Sequence, residues 1–386
     1  MSALAVMTLA LTLVVLPSSP AAASRGEKTK ADAGYQAGEI VVKFKQGAAQ
    51  TKRLATLDKL NSKILSKNHA LGFDVVKVHG SVENALKMYR ENPLVEYAEP
   101  NITFKAAATP NDSDYSKQYG LELVNAPTAW KTVTGKGAKI AIVDTGVDYN
   151  HPDLKGKVIK GRDFIDNDSD PMDENGHGTH CAGIAAAHTN NEIGIAGMAP
   201  NAKIYASRVL DANGRGSLDA VANGITDAAD HGAKVISLSL GASKGAQALK
   251  DAVDYAADKG AIVVAAAGNE GKTTPNYPGY YKKTIAVGAT DSNDKKADFS
   301  NCGADWVDVA APGVDIYSTI TGGGYKNLSG TSMATPHVAG LAGLLASQGK
   351  KAADIRSTIE GTADKISGTG SDWAYGRINA AKAVGE

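Results

Sequence analysis

Lys139-Ile140-Ala141-Ile142-Val143-Asp144 is an unbroken apolar run closed by a carboxylate, and Thr145-Gly146 follows at once. No polar residue alternates with the apolar ones, so the segment has no solvent face. It reads as a strand of a parallel sheet buried on both sides. Residues 234–240, 261–267 and 284–288 repeat the pattern. Helical patterns fall over 178–188, 217–231, 245–259 and 333–347. Strand and helix alternating in this way predict an α/β fold: a mostly parallel central sheet flanked by helices, with right-handed crossovers. Ligands should then bind outside the carboxyl ends of the strands.

The residues ahead of this region differ in kind. Ala3 to Leu16 is apolar and uncharged, and the small-residue site Ala21-Ala22-Ala23 follows. This pattern predicts a secretory signal peptide over 1–23, although no Lys or Arg precedes the apolar run. The run is too short to span a bilayer, which needs about 20 residues. The product is expected to be secreted, extracellular and free of the membrane. Residues 24–38 read as a linker and 39–104 as a small α+β unit. Its strands lie near 39–44, 73–78 and 95–100, and its helices near 48–61 and 82–91. A small open sheet with two helices on one face, ferredoxin-like, is expected. Residues 105–108 form a small-residue connector open to cleavage, and 109–386 form the main domain.

Net charge is zero, but residues 24–106 carry 14 basic and 9 acidic residues against 27 and 32 in residues 107–386. The opposite signs suit two parts that associate. No basic stripe suggests nucleic acid. The two cysteines, Cys181 and Cys302, make neither a disulfide framework nor a zinc site, and free thiols are expected.

Three motifs carry chemistry: Asp144-Thr145-Gly146 after the first buried strand, His177-Gly178-Thr179-His180 opening a helix, and Gly330-Thr331-Ser332-Met333-Ala334 opening another. An alcohol is a weak nucleophile until a neighbouring base takes its proton, and an imidazole base needs a carboxylate to fix its tautomer. Asp, His and Ser supply those roles in that chain order. Spacing alone does not choose between His177 and His180. Asn269, after a buried strand, and the Ser332 backbone N–H are candidate donors to an oxyanion. A single Asp-Thr-Gly in an α/β pattern argues against an aspartic protease. Ala334, where a nucleophile elbow has its second glycine, argues against an α/β-hydrolase. His177 and His180 lack a His-Glu-x-x-His context for zinc. Cys181 lacks a thiolate-stabilising partner, and Met333 beside Ser332 predicts oxidative sensitivity.

These strings resemble the subtilisin-like serine proteases, above all their thermitase-like members, over nearly all of 109–386. Residues 39–104 resemble the family's inhibitory propeptide. The resemblance selects His177 as the base and implies a broad-specificity serine endopeptidase, made as a zymogen that its own propeptide chaperones and inhibits. It implies backbone pairing of extended protein and peptide substrates with Ser239, Leu240 and Gly241 on one side and Gly214 and Gly216 on the other. Glu270 matches the rim of the primary pocket, where tolerance of basic as well as apolar side chains is expected. The mature start is expected near Ala107 or Ala108, with Phe104 in an apolar pocket during cleavage. Structural Ca²⁺ is implied at two places. One set is Asp112, Asp153 and Asn191 with the carbonyls of His188, Ile193 and Ile195. The other is the acidic run Asp163, Asp166, Asp168 and Asp170, which read from its residues alone is equally a solvated charged loop. A monomer is expected. The alternative is an inactive secreted binding protein on the same fold, against which the intact triad and Asn269 argue.

Overall fold

The chain divides into two compact units that meet in sequence at Ala106 and Ala107. The structure, a computed structural model, describes residues 35–103 and 109–386. The expected signal peptide, most of the expected linker, and the connector with Phe104, Ala107 and Ala108 lie outside those residues.

The N-terminal unit runs β1 (Tyr35–Phe44), α1 (Gln50–Lys59), β2 (Lys63–Asn68), β3 (Phe73–Lys77), α2 (Val82–Arg90) and β4 (Val95–Ile102). Its sheet has the order β2-β3-β1-β4, and every pairing is antiparallel. Ile40, Val42, Phe44, Val76 and Ala98 pack from one face onto Leu57, Leu86 and Tyr89 of the helices. α2 starts at Val82 because the Ser81 hydroxyl accepts the Asn84 N–H, an N-cap contributing about 1 kcal/mol. Two expectations need correction. β1 begins at Tyr35, inside the expected linker 24–38, because β4 extends to Ile102 and pairs with Tyr35 there. β2 was not expected at all. Its sequence, Lys63-Ile64-Leu65-Ser66-Lys67-Asn68, is mostly exposed, as suits an edge strand that discourages further pairing. With it the order becomes β-α-β-β-α-β, the ferredoxin-like arrangement.

The C-terminal unit opens with α3 (Tyr119–Leu123) and α4 (Ala126–Ala129), then β5 (Lys139–Asp144), β6 (Val158–Asp163), α5 (His177–Ala186), β7 (Lys203–Arg208), α6 (Leu218–Asp230), β8 (Val235–Leu238), α7 (Gln247–Asp258), β9 (Ile262–Ala266) and β10 (Thr284–Thr290). It closes with β11 (Val309–Pro312), the hairpin β12 (Ile316–Ile320) and β13 (Gly324–Leu328), α8 (Thr331–Ser347), α9 (Ala352–Thr362), β14 (Gly376–Arg377) and α10 (Ala380–Val384). Eight strands form one sheet, β14-β11-β10-β9-β8-β5-β7-β6, parallel at every pairing.

Side chains alternate along β5 between two cores. Ile140 and Ile142 face the core shared with α5 and α8, and Ala141 and Val143 face the core shared with α6 and α7. A strand covered by apolar helices on both faces has no use for a polar position, which explains the unbroken apolar run. β5, β8 and β9 are central, so their carboxyl ends open side by side. Asp144 closes β5, Ser239 follows β8, and Asn269 follows β9 after two residues. Among the described residues no helix is long and apolar enough to cross a membrane.

Candidate active site

Asp144 is fully buried at the end of β5. His177 is the first residue of α5, and its Nδ1 lies 2.7 Å from Asp144 Oδ1. The same oxygen takes the Thr145 N–H at 2.7 Å. The helix starts there because the buried carboxylate of Asp173 gathers its free amides. Asp173 accepts the N–H groups of Asn175, Gly176 and Thr179 and the hydroxyls of Thr145 and Thr179. An anion at a helix start satisfies donors that have no partner within the helix. The glycines of the two motifs have a joint reason. A Cβ on Gly178 would lie 2.1 Å from the Gly146 carbonyl oxygen, so the Asp-Thr-Gly turn and the His-Gly-Thr helix start meet backbone to backbone.

Burial pulls the His177 imidazole down, but the Asp144 charge and hydrogen bond more than offset it. The group stands above the ordinary histidine value. His180 is otherwise engaged. Its Nε2–H donates to Lys326 O at 2.9 Å, and burial pulls it down to about 4. The imidazole that meets the buried carboxylate is therefore His177.

Ser332 is the second residue of α8, and its hydroxyl donates to Ser239 O at 3.1 Å. Its own carbonyl lacks a helical partner, because residue 336 is proline and carries no N–H. Two side chains fill that role: Ser239 Oγ donates at 2.8 Å and the Cys181 thiol at 3.4 Å. The Cys181 sulfur lies within 4.8 Å of both the Asp144 carboxylate and the His177 ring nitrogen, so it packs between the imidazole and the serine backbone. Burial pushes that thiol well up, which leaves no thiolate to act as a nucleophile. Cys181 and Cys302 are both free and buried.

Asn269 is exposed, and its side-chain oxygen accepts the Thr331 N–H at 2.8 Å and the Thr331 hydroxyl at 3.0 Å. With the oxygen so committed, the amide NH₂ is left for the hollow of about 210 Å³ that Asn269 and Ser332 both line. Glu270 and Asn276 line it too, and Glu270 Oε2 accepts Asn301 Nδ2 at 2.7 Å. A cleft of about 700 Å³ is lined by His177, Gly214, Gly216, Ser239, Leu240 and Gly241. Thr331, Asp173, Asn276 and Pro336 were not singled out in the sequence. Pro336 stood in plain view four residues after Ser332; the others act across space.

The two acidic sets differ. Asp112 and Asp153 are buried, and neither forms an ion pair with a basic side chain among the described residues. Asp112 accepts the N–H groups of Asn190 and Asn191, while Asp153 accepts Asn191 Nδ2 and the Ile195 N–H. The His188 N–H donates to Asp153 O, so the segment with His188, Ile193 and Ile195 wraps both carboxylates. Burial, opposed by those amides, leaves Asp112 above the usual carboxylate range, and Asp153 adds to the rise. Oxygen-only donors round buried negative charge fit a hard cation. The run from 163 to 170 does not gather in this way. Arg208 takes Asp163 at 2.8 Å and Asp166 at 2.7 Å, and Asp170 takes Tyr149 and Lys160. Asp168 caps the Asp170 N–H. The chain's own guanidinium supplies the positive charge, and among the described residues no three of these carboxylates lie close enough to share an ion.

The sequence profile of the subtilase family matches residues 135–377, and that of the fervidolysin N-terminal prodomain matches residues 21–101. A thermophilic serine proteinase of Bacillus sp. strain AK1 is 54% identical over 370 residues, spanning 95% of this chain and 92% of that protein. Thermitase of Thermoactinomyces vulgaris is 65% identical over 277 residues, 72% of this chain and 99% of the relative. A solved protease from Pseudoalteromonas arctica superposes with a TM-score of 0.66 at 32% identity, covering 72% of this chain and 99% of that one. With the family profile spanning more than half of the chain and relatives matched almost end to end, the chain belongs to the subtilase family, as a serine protease with an N-terminal prodomain.

Proposed function

We propose that this protease is a secreted, broad-specificity endopeptidase in which Ser332 is the nucleophile, His177 the general base and Asp144 its orienting carboxylate. The observation that carries the reading is the 2.7 Å contact between His177 Nδ1 and the buried Asp144 at the edge of the cleft. It leaves Nε2 as the nitrogen able to take the Ser332 proton. Ser332 Oγ attacks the scissile carbonyl, and His177 then delivers the proton to the leaving amine. Water releases the acyl-enzyme by the same steps. Asn269 Nδ2 and the Ser332 N–H hold the oxyanion; both belong to groups whose orientation the rest of the site already fixes, which is what makes such donors effective.

Extended peptide pairs with the backbone at Ser239–Gly241 and Gly214–Gly216, so most sequences are accepted. The Glu270 carboxylate at the primary hollow adds tolerance of basic side chains; Glu270→Gln should lower Lys cleavage relative to Phe cleavage. Residues 39–104, extended to start at Tyr35, act as chaperone and inhibitor, and the enzyme cuts them away near Ala107. Asp112, Asp153 and Asn191, with carbonyls from 188–195, would hold Ca²⁺, whose charge offsets two buried carboxylates and ties the segment down. The acidic run 163–170 is not assigned a cation, because Arg208 pairs with Asp163 and Asp166 and Lys160 pairs with Asp170.

Ser332→Ala tests the reading. Wild type should shed its N-terminal unit and digest casein, while the variant stays full-length and inert. A variant that still matured and digested casein would remove Ser332 from the mechanism, whereas a wild type that neither matured nor digested casein would favour the inactive binding protein on the same fold.

A further inference from the structure

The β12–β13 hairpin touches two places that the proposed mechanism treats separately. One is the helix that presents His177. Ser318 Oγ donates to His180 O at 2.8 Å, Thr319 Oγ1 to Thr179 O at 2.8 Å, and Lys326 O accepts His180 Nε2 at 2.9 Å. The Gly322 N–H donates to Asp148, whose own N–H donates to Thr179. The first turn of α5 is thus bonded to the hairpin on several sides. The other place is the buried carboxylate Asp153, whose Oδ2 accepts the Tyr325 hydroxyl at 2.9 Å.

Several features hold Tyr325 in that pose. Its ring stacks on Tyr317 with centroids 5.9 Å apart and meets His151 edge-on at 5.1 Å. His151 in turn donates from Nε2 to Gly324 O. The backbone opposite is glycine for a reason: at Gly194, φ +52, a Cβ would sit 2.0 Å from the Tyr325 hydroxyl and 2.1 Å from Asp153 Oδ2.

We propose that Tyr325 is the positioning residue that aims Asp153 at its cation and, through the hairpin, makes cation binding and the order of the His177 helix start one property. This rests on the reading that Asp112, Asp153 and Asn191 hold Ca²⁺. A hydrogen bond from behind orients a ligating carboxylate, and losing such a partner weakens metal binding about 10–100-fold. If the cation tightens the hairpin, a tight hairpin must equally tighten the cation, since coupling is reciprocal.

The experiment uses the full chain carrying Ser332→Ala, which removes the proposed nucleophile and so limits self-digestion. Calcium affinity is measured by titration against a chelating dye, and backbone hydrogen exchange is followed over 316–328 and 177–181 with and without calcium. Tyr325→Phe should bind calcium about 10–100-fold more weakly. Calcium should slow exchange in both segments of the parent and lose most of that effect in Tyr325→Phe. Tyr317→Phe is the control, because its hydroxyl goes to Asp114 rather than Asp153. It keeps the bond to Asp153, so any loss of calcium affinity should be no larger than its loosening of the hairpin accounts for through the same coupling, and well below the loss in Tyr325→Phe. Unchanged affinity in Tyr325→Phe, or equal loss in both tyrosine variants, overturns the proposal and leaves the site reading intact. Unchanged affinity in Asp153→Asn means that the cation binds elsewhere, and both readings fall.

Discussion

At the scale of single residues, the proposed chemistry depends on two groups whose state is set by neighbours. His177 stands above the ordinary histidine value of about 6.5. Only its neutral form can accept the Ser332 proton, so kcat/KM should climb with pH through that raised value and then level. In Asp144→Asn the charge that raises it most is gone and burial remains, opposed only by the weaker effect of Asp173, so the acid limb should move to lower pH while kcat falls by about 10⁴. A pH–rate profile of both proteins checks the sign: a limb that moved up would mean that Asp144 does not govern the base. The second group is Asn269, whose oxygen is pinned by Thr331. Asn269→Ala should lower kcat about 10²–10³-fold with KM little changed, a range established on subtilisin rather than derived from this chain. A rise in KM with kcat unchanged would assign Asn269 to substrate binding instead. The polar residues at this scale were legible in the sequence because each sits in a short string next to the glycines that let backbones touch. Thr331 was legible only as part of the Ser332 string, and Asp173 not at all, because its role appears only when residues 145 and 173–179 meet in space.

At the scale of elements, four buried strands with unbroken apolar runs were legible, while the polar β2 and β6 were not, nor were the buried β7, whose run is broken by Ser207 and Arg208, and the four-residue β11. β5, β8, β9 and β10 carry unbroken apolar runs because helices cover both faces. β6, with Lys160, Gly161 and Arg162, lies at the sheet edge and carries no unbroken apolar run. β2 is missed for the same reason. α8 was placed two residues late because its first turn belongs to the reactive string. That helix holds an internal conflict which has a use. Proline inside a helix removes one hydrogen bond and crowds the carbonyl four residues back, and in α8 that carbonyl is Ser332 O. Its place is taken by Ser239 Oγ and the Cys181 thiol, which tie the nucleophile's backbone to the carboxyl end of β8 and to the His177 helix. Pro336→Ala restores an N–H that competes for the carbonyl. The variant should unfold at no lower urea concentration than the parent, yet lose about tenfold or more in kcat, since small misplacements of reacting groups are costly. Full activity in a stable Pro336→Ala would show that the freed carbonyl plays no part.

At the scale of the whole molecule, the C-terminal unit keeps two buried carboxylates, Asp112 and Asp153, near one another, and among the described residues neither forms an ion pair with a basic side chain. Two like charges in that setting repel, and removing them from water adds a further cost. The resemblance named both residues, but their burial and lack of an ion pair could not be read from positions 112 and 153, which are distant in sequence. A cation that binds only the folded state stabilises it by about 2.7 kcal/mol at a hundred times its dissociation constant. For a unit of this size that is a rise in melting temperature of roughly 5–10 °C. Calorimetry of the Ser332→Ala chain should therefore show the main transition falling by about that much in excess chelator. Asp112→Asn separates the cation from its carboxylates. With calcium the variant should melt below the parent, because a ligand is lost. With chelator it should melt at or above the parent, because one of the two repelling charges is lost. The order of the two proteins thus inverts with calcium, an outcome that a merely damaged fold cannot produce. A variant below the parent under both conditions would mean that Asp112 serves the fold through its bonds to Asn190 and Asn191 rather than through an ion.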